Sequence, residues 1–394
     1  MTSQQTVALL VLSVGAFLAP LFSRRIGVPA AVGEILLGAI IGNVMGPLAN
    51  TGVPGALGFV GFALLMFTAG TEFDFESIER GGARQMVIGV MYIALSIGLA
   101  IMIGVWRGVP MVEGIAFGVT SIGIAVAALR EANLLGAPIG QAVLVVGGLG
   151  EFISMLALTG IDLVSTKMNR PITLDVLKLV GALLIAYLLL RALRSMVWWY
   201  PESFGRLVDA ADPSEVGVRA AFALMLAFVA AAALLGIEPI LGAFLAGLTF
   251  GFVFRSKDVL VGKLSSVGYG FLIPVFFIGV GQDLRLDTLR SPVVLSMAGV
   301  ALVATVLAKL LPAPCFRLAG VSWRNSVVVS LFLATPLTLQ VAVARLGVDL
   351  KLLSSDESTA LVVASVISGI IVPTLARRFH AYAVTAGEAA KSIR

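Results

Sequence analysis

Residues 144–158, LVVGGLGEFISMLAL, place a single carboxylate, Glu151, inside an otherwise apolar run. Such a run is typical of a helix that is buried in protein or crosses a membrane. A charge at the centre of a bilayer costs roughly 2.5–3.5 kcal/mol on insertion scales, so ionisable residues there usually face a cavity and serve a function. Whether the chain spans a membrane therefore decides how Glu151 is interpreted.

The whole chain has the composition of a polytopic membrane protein. Of its 394 residues, 59% are hydrophobic and 12% are charged, and the mean hydropathy is +1.05. Apolar stretches near the length of a membrane-spanning helix, about 20 residues, recur along the sequence. Lys and Arg lie in short connections between these stretches, so we attribute the pI near 9.6 to membrane topology and not to nucleic acid. We predict an all-α integral membrane protein embedded in a lipid bilayer.

Thirteen membrane spans are predicted, and the basic residues between them give an orientation. With the N-terminus outside, the cytoplasmic connections collect 18 Lys and Arg residues and the outer ones keep 8, leaving out Lys309, which lies inside a span. Cytoplasmic loops carry the excess of basic residues in membrane proteins. We therefore expect an outer N-terminus and a cytoplasmic C-terminus in the cell (inner) membrane. The spans lie at about residues 4–23, 29–47, 55–72, 84–106, 111–133, 138–165, 174–198, 216–235, 239–255, 259–281, 291–316, 324–346 and 357–379.

Several segments of the sequence occur twice. The second and ninth spans carry glycines at the same three positions, in VGEILLGAIIGNV (32–44) and LGAFLAGLTFGFV (241–253). The segments 70–78 and 281–289 also align, as do 119–130 and 334–345. Members of each pair are seven spans apart, so they cross the membrane in opposite directions. Inverted units of this kind build many secondary transporters.

The repeats divide the predicted chain into two halves around a connector. We predict two inverted six-helix repeats and a linker that contains the seventh span and a polar connection. The boundaries are 1–165 for the first repeat, 166–213 for the linker, 214–380 for the second repeat and 381–394 for a short cytoplasmic tail.

Polar and helix-breaking residues interrupt the fifth and twelfth spans near their middles. Such residues loosen backbone hydrogen bonding, so we predict two crossed, discontinuous helices whose ends face a polar cavity near the bilayer midplane. The alternative is a simple kink in which Ser and Thr bond back to the preceding turn. Gln340, beyond the second break, either coordinates an ion or bonds across helices. The interrupting residues are Thr120, Ser121, Gly123, Thr335, Pro336 and Thr338.

Two ionisable residues, Glu151 and Lys309, lie deep within predicted spans. A carboxylate beside a polar cavity can exchange a proton for a cation, which makes Glu151 the candidate site for a proton and an alkali metal ion. Thr120 and Ser121 would add hydroxyl oxygens, the hard ligands that suit such ions. The alternative is structural: a protonated Glu151, or an ion pair with Lys309. No P-loop, zinc spacing or catalytic triad is present, so we predict neither an enzyme nor a cofactor.

Five motifs, taken together and in this order, resemble the monovalent cation:proton antiporter superfamily, on the branch holding Kef-type potassium and bacterial sodium/proton antiporters. They span nearly the whole chain. The motifs are GVPAAVGEILLGAIIGNVMGP (27–47), LLMFTAGTEFDF (64–75), TSIGIAVAALREANLLG (120–136), LGAFLAGLTFG (241–251) and FLIPVFFIGVGQDL (271–284).

The resemblance implies a dimer in which each protomer has a panel and a core that moves in an elevator-like cycle. The first three and the eighth to tenth spans would form the panel, and the fourth to sixth with the eleventh to thirteenth the core. Glu151 falls where the family has its ion-binding Asp, and Gly150 where a polar residue precedes it. Lys309 matches the family's core lysine, and Thr120 and Ser121 match the polar residues of the helix crossing.

Gly150 departs from the family pattern because it supplies no side chain. A two-proton electrogenic cycle is then hard to build, and Lys309 needs another partner, with Glu151 as one candidate. We expect a Na⁺ or K⁺/proton antiporter in which Glu151 exchanges the two ions. The alternatives are a gated cation efflux channel and a sensor-like member that does not transport.

Overall fold

A computed structural model of the chain describes residues 3–26, 28–46, 52–71, 75–132, 134, 137–166, 181, 184, 191, 195, 214–235, 239–253, 258–282, 284, 287 and 290–392. Every regular element in these residues is helical, as predicted. A π-helical stretch, Gly268–Leu272, joins the helices Asp258–Val267 and Ile273–Gln282. The helices are α1 (Ser3–Ile26), α2 (Ala30–Met45), α3 (Gly52–Thr71), α4 (Phe75–Arg107), α5 (Met111–Gly118), α6 (Gly123–Glu131), α7 (Pro138–Thr166), α8 (Val216–Leu235), α9 (Pro239–Val253), α10 (Asp258–Val267), α11 (Ile273–Gln282), α12 (Pro292–Leu310), α13 (Cys315–Leu318), α14 (Trp323–Leu333), α15 (Leu337–Asp349) and α16 (Ser355–Ser392).

Among the described residues, eight helical stretches are long and apolar enough to cross a membrane, and α14 with α15, bent by 42° at their junction, would make a ninth. Three more apolar stretches are shorter: Ala30–Met45, Met111–Val126 and Pro239–Phe252. A polytopic helical membrane protein is therefore confirmed. Long helices are fewer than the thirteen predicted spans because several spans are short or interrupted. The seventh predicted span, 174–198, lies outside the described residues apart from isolated positions.

The chain forms two compact units, each built from two separate segments. The first unit comprises Met1–Asp74 and Leu158–Leu284, and the second comprises Phe75–Ala157 and Arg285–Arg394. This grouping places the first three and the eighth to tenth predicted spans in one unit. It agrees with the division into panel and core that the family resemblance implied.

In the first unit, α2 packs against α11 through glycines that meet backbone directly. A Cβ on Gly38 would collide with the carbonyl oxygen of Ile278, and a Cβ on Gly281 with that of Ile35. Small residues at such positions let two membrane helices approach closely. The glycine spacing of the second predicted span is therefore needed for helix packing.

Helices α3 and α9 also pack through glycines that meet backbone directly. A Cβ on Gly247 would collide with the carbonyl oxygen of Phe67, and a Cβ on Gly70 with that of Phe244. In the repeated sequences, each of these glycines aligns with a glycine of the first pair, and each carbonyl with a carbonyl of the first pair. The two helix pairs thus make their closest contacts at matching positions.

In the second unit, the fifth predicted span is broken between α5 and α6. Residues 119–122 are not helical, and Val119 has an extended conformation with φ −59° and ψ 149°. In a continuous helix the Thr120 N–H would bond the carbonyl four residues earlier. Instead it donates to Ser154 Oγ on α7, 2.9 Å away. A contact with another helix therefore replaces the lost helical bond.

The twelfth predicted span is broken between α14 and α15, where residues 334–336 are not helical. Pro336 has no N–H, and it disfavours a helical conformation for the residue before it. The Thr335 hydroxyl donates to Phe332 O at 2.8 Å, the carbonyl that the missing Pro336 amide would have bonded. Both interruptions lie where the sequence predicted them.

Candidate functional site

Glu151 lies in the middle of α7 and is almost completely buried, with 1% of its surface exposed. Its Oε1 accepts a hydrogen bond from Ser121 Oγ at 3.1 Å. Ser121 belongs to the non-helical segment 119–122, so the carboxylate faces the break between α5 and α6. The structure therefore brings together two of the predicted site residues.

Two glycines of α7 allow segment 119–122 to lie directly against that helix. A Cβ on Gly147 would collide with the side chain of Ile122, and a Cβ on Gly150 would lie 2.8 Å from the Cβ of Thr120. The space over Gly150 is thus filled by the Thr120 side chain. Gly150 therefore contributes space and no polar group. The hydroxyl oxygen that contacts Glu151 comes from segment 119–122.

Ser121 also links the two interrupted helices. Its hydroxyl makes a short contact with the hydroxyl of Thr338, in the first turn of α15. When Glu151 is ionised, the Ser121 proton points to the carboxylate, so Thr338 is the donor to Ser121. The hydroxyls of Thr338 and Ser121 therefore connect the second interrupted helix to Glu151.

Lys309 is completely buried in the last turn of α12, and three neutral oxygens surround its ammonium. Nζ donates to Ser96 Oγ at 2.8 Å, to Gly118 O at 2.5 Å and to Thr120 Oγ1 at 2.8 Å. An ammonium has three N–H donors, so all of them are satisfied. Within the part of the chain that the structure describes, Lys309 forms no ion pair. An ion pair with Glu151, considered from the sequence, is therefore absent.

The position of the Lys309 ammonium has an electrostatic reason. Gly118 is the last residue of α5, where helix carbonyls have no helical donor and carry partial negative charge. A cation at a helix C-terminus stabilises that charge, and its effect is larger away from water. Lys309 therefore stabilises the half-helix end that the break creates.

Three further predicted residues line or shape the breaks. Gln340 Nε2 donates to Thr305 Oγ1 at 3.2 Å, so this amide bonds across helices. Thr335 bonds back to its own helix end, as the simple-kink alternative expected of such hydroxyls. Gly123 begins α6, and a Cβ there would make an ordinary contact with Thr338 at 3.8 Å.

Three residues that hold the site together were not predicted from the sequence: Ser96, Ser154 and Tyr92. Ser96 bonds the Lys309 ammonium, Ser154 bonds Thr120 N, and the Tyr92 hydroxyl bonds Lys309 O at 2.9 Å. Isolated Ser and Tyr residues are unremarkable in apolar spans. The one available signal is that Tyr92 and Ser96 are four residues apart, and therefore on one face of α4.

The oxygens of the site suit a hard monovalent cation. The carboxylate and hydroxyls are ligands that alkali ions accept. In the described ranges, no three His, Cys, Asp or Glu residues converge as they would in a transition-metal centre.

The chain is similar to known proteins over nearly its whole length. The family described as "Sodium/hydrogen exchanger, transmembrane" matches residues 13–378. YjbQ of Bacillus subtilis (strain 168), a candidate Na⁺/H⁺ antiporter, is 28% identical to this chain. The match covers 96% of this chain and 64% of that protein. The Na⁺/H⁺-K⁺ antiporter GerN of Bacillus cereus is 26% identical, with 94% of each chain covered.

A solved structure has the same fold. It is the sodium proton antiporter MjNhaP1 from Methanocaldococcus jannaschii at pH 8, with a TM-score of 0.66 and 15% sequence identity. The similarity covers 96% of this chain and 97% of that chain.

Proposed function

Because the chain belongs to the sodium/hydrogen exchanger family, we propose that it exchanges a monovalent cation, Na⁺ or K⁺, for protons, with Glu151 binding each in turn. One observation supports this role most directly. Glu151 is a buried carboxylate that contacts Ser121 at the point where a membrane helix is interrupted.

Burial makes proton and cation compete at Glu151. A carboxylate removed from water is costly unless its charge is neutralised by protonation or by a nearby cation. Either ion satisfies this requirement, and both cannot occupy the same oxygens. Ser121, Thr338 and the backbone carbonyls of the non-helical segment supply further oxygens for a partly dehydrated alkali ion.

We propose that each cycle moves one charge in each direction. Gly150 provides no second carboxylate, and the Thr120 side chain fills the space above it. The Lys309 ammonium is held by neutral oxygens. One carboxylate binds one proton or one monovalent cation, so the exchange is electroneutral.

We further propose an elevator-type cycle in which the unit that carries Glu151 moves as a body. The residues around Glu151 and Lys309 all belong to the second compact unit. Their mutual geometry is therefore kept when that unit moves, and alternating access requires only that the site opens to one side at a time.

The inverted repeats, 1–165 and 214–380, remain part of this proposal. They are supported by the matching glycine contacts of α2 with α11 and of α9 with α3. The outer N-terminus, the cytoplasmic C-terminus and a homodimer complete the proposed arrangement.

Proton flux in proteoliposomes tests the exchange. A pH gradient is imposed, Na⁺, K⁺ and Li⁺ are added in turn, and wild type is compared with Glu151→Gln. We expect at least one cation to dissipate the gradient in wild type and none to do so in Glu151→Gln. Glu113→Gln is the matched control, because Glu113 is also buried in the second unit and should retain exchange.

Two results would contradict the proposal. Exchange that persists in Glu151→Gln would remove that residue from the mechanism. Cation current without proton movement in wild type would favour a channel.

A further inference from the structure

The helix that carries Lys309 ends where the sequence removes backbone donors. Pro312 and Pro314 have no N–H. The Ala313 N–H, which would bond Lys309 O in a continuing helix, bonds Leu310 O at 3.1 Å instead. A backbone carbonyl without a donor is costly inside a membrane, so Lys309 O needs one from another element.

Tyr92 on α4 provides that donor. Its hydroxyl bonds Lys309 O at 2.9 Å, and its ring packs against Phe316 with centroids 4.6 Å apart. One turn further along α4, Ser96 accepts a hydrogen bond from the Lys309 ammonium at 2.8 Å. A single face of α4 therefore holds both the backbone and the charged end of Lys309.

This double attachment matters because the Lys309 ammonium and the Glu151 carboxylate contact neighbouring residues of segment 119–122. Thr120 and the neighbouring Gly118 carbonyl hold the Lys309 ammonium, whereas the next residue, Ser121, contacts Glu151. If Lys309 shifted along the segment, its ammonium would reach toward the carboxylate and compete with the transported ion.

We propose that Tyr92 is a positioning residue for exchange, an inference that rests on the proposed function. Its hydroxyl fixes the Lys309 backbone so that the ammonium stays on Ser96, Gly118 and Thr120. The ammonium is thereby kept away from Glu151, the residue proposed to bind the transported cation.

Tyr92→Phe tests this role because it removes the hydroxyl and keeps the ring against Phe316. The cation that wild type exchanges is titrated in proteoliposomes. We expect the apparent KM to rise about fivefold, the effect of one hydrogen bond, with a maximal rate near that of wild type. KM does not depend on how much protein is folded, so a general loss of stability would not produce this result.

Tyr269→Phe is the matched control. It removes the same group from a ring that is 54% exposed in the first unit, and both kinetic constants should stay at their wild-type values. A wild-type KM in Tyr92→Phe would overturn the proposal.

A double-mutant cycle with Lys309→Met shows whether Tyr92 acts through the ammonium. The readout is the cation concentration that gives half-maximal thermal stabilisation, which does not require transport. Tyr92→Phe should raise this concentration when Lys309 is present and leave it unchanged in Lys309→Met. An equal rise in both backgrounds would overturn the proposal. A wild type that no cation stabilises and that exchanges none would instead contradict the proposed function.

Discussion

The two interrupted helices of the second unit are broken for different reasons. Between α14 and α15, Pro336 has no backbone N–H. The hydroxyl of Thr335 donates instead to the nearby carbonyl that this N–H would have bonded, at the end of α14. Between α5 and α6 there is no proline. That break is held by Ser154, which bonds segment 119–122, and by Lys309, which bonds its neighbour Gly118. Ser121, within the segment, donates to Glu151 on α7. One break is thus encoded locally, whereas the other depends on contacts with neighbouring helices. This dependent break is the one that contacts the carboxylate of Glu151.

Lys309→Met should have the largest effect, because it removes the charge that holds the dependent break. It leaves three buried oxygens without their donor, and each hydrogen bond to a charged group contributes about 1.5–3 kcal/mol. Thr335→Val at the locally encoded break removes one neutral hydrogen bond, worth about 1 kcal/mol. Thermal unfolding in detergent should therefore show a much larger decrease for Lys309→Met. Equal decreases would contradict the comparison.

Gly150→Ala should come next, because it pushes segment 119–122 away from α7. The added Cβ would lie 2.8–3.0 Å from the side-chain atoms of Thr120, and such overpacking costs about 1–3 kcal/mol. We expect lower thermal stability and a loss of cation/proton exchange. Gly160→Ala on the same helix is the control, since a Cβ there meets nothing within 4 Å. If both variants behaved alike, the close approach at Gly150 would not matter.

Pro336→Ala should change stability least among these variants while still lowering exchange. It restores an amide that can bond Phe332 O, so α14 and α15 can join into a more regular helix. Stability should stay within about 1 kcal/mol of wild type, since a helix bond is gained as the native bend is lost. Exchange rates and melting temperatures, measured on the same preparation, check this. Full activity would show that the second break is dispensable.

Membrane potential should have no effect on the exchange rate. The proposed exchange uses one carboxylate, Glu151, which contacts the dependent break, and one carboxylate moves one charge in each direction. Proteoliposomes with and without an imposed potential should therefore exchange cations at the same rate. A rate that follows the potential would indicate a second titrating group and would overturn the electroneutral cycle.

The sequence predicted both breaks and the burial of Glu151 because hydroxyls, proline and a lone carboxylate stand out in apolar runs. It could not predict the partners of Lys309. Two of those partners, Ser96 and the Gly118 carbonyl, lie 213 and 191 positions away in the chain, and local sequence does not connect either of them with Lys309. That Gly150 leaves space for the Thr120 side chain could not be predicted either. It depends on how segment 119–122 packs against α7, and local sequence does not specify that packing.

Competition between cation and proton for Glu151 is the central claim, and binding measured across pH tests it most directly. The apparent dissociation constant of the cation is obtained from thermal stabilisation at several pH values. If both ions share one carboxylate, the constant should rise on the order of tenfold per unit of falling pH in the acidic range, and Glu151→Gln should abolish the dependence. A constant that does not change with pH in wild type, or an unchanged dependence in Glu151→Gln, would contradict the account.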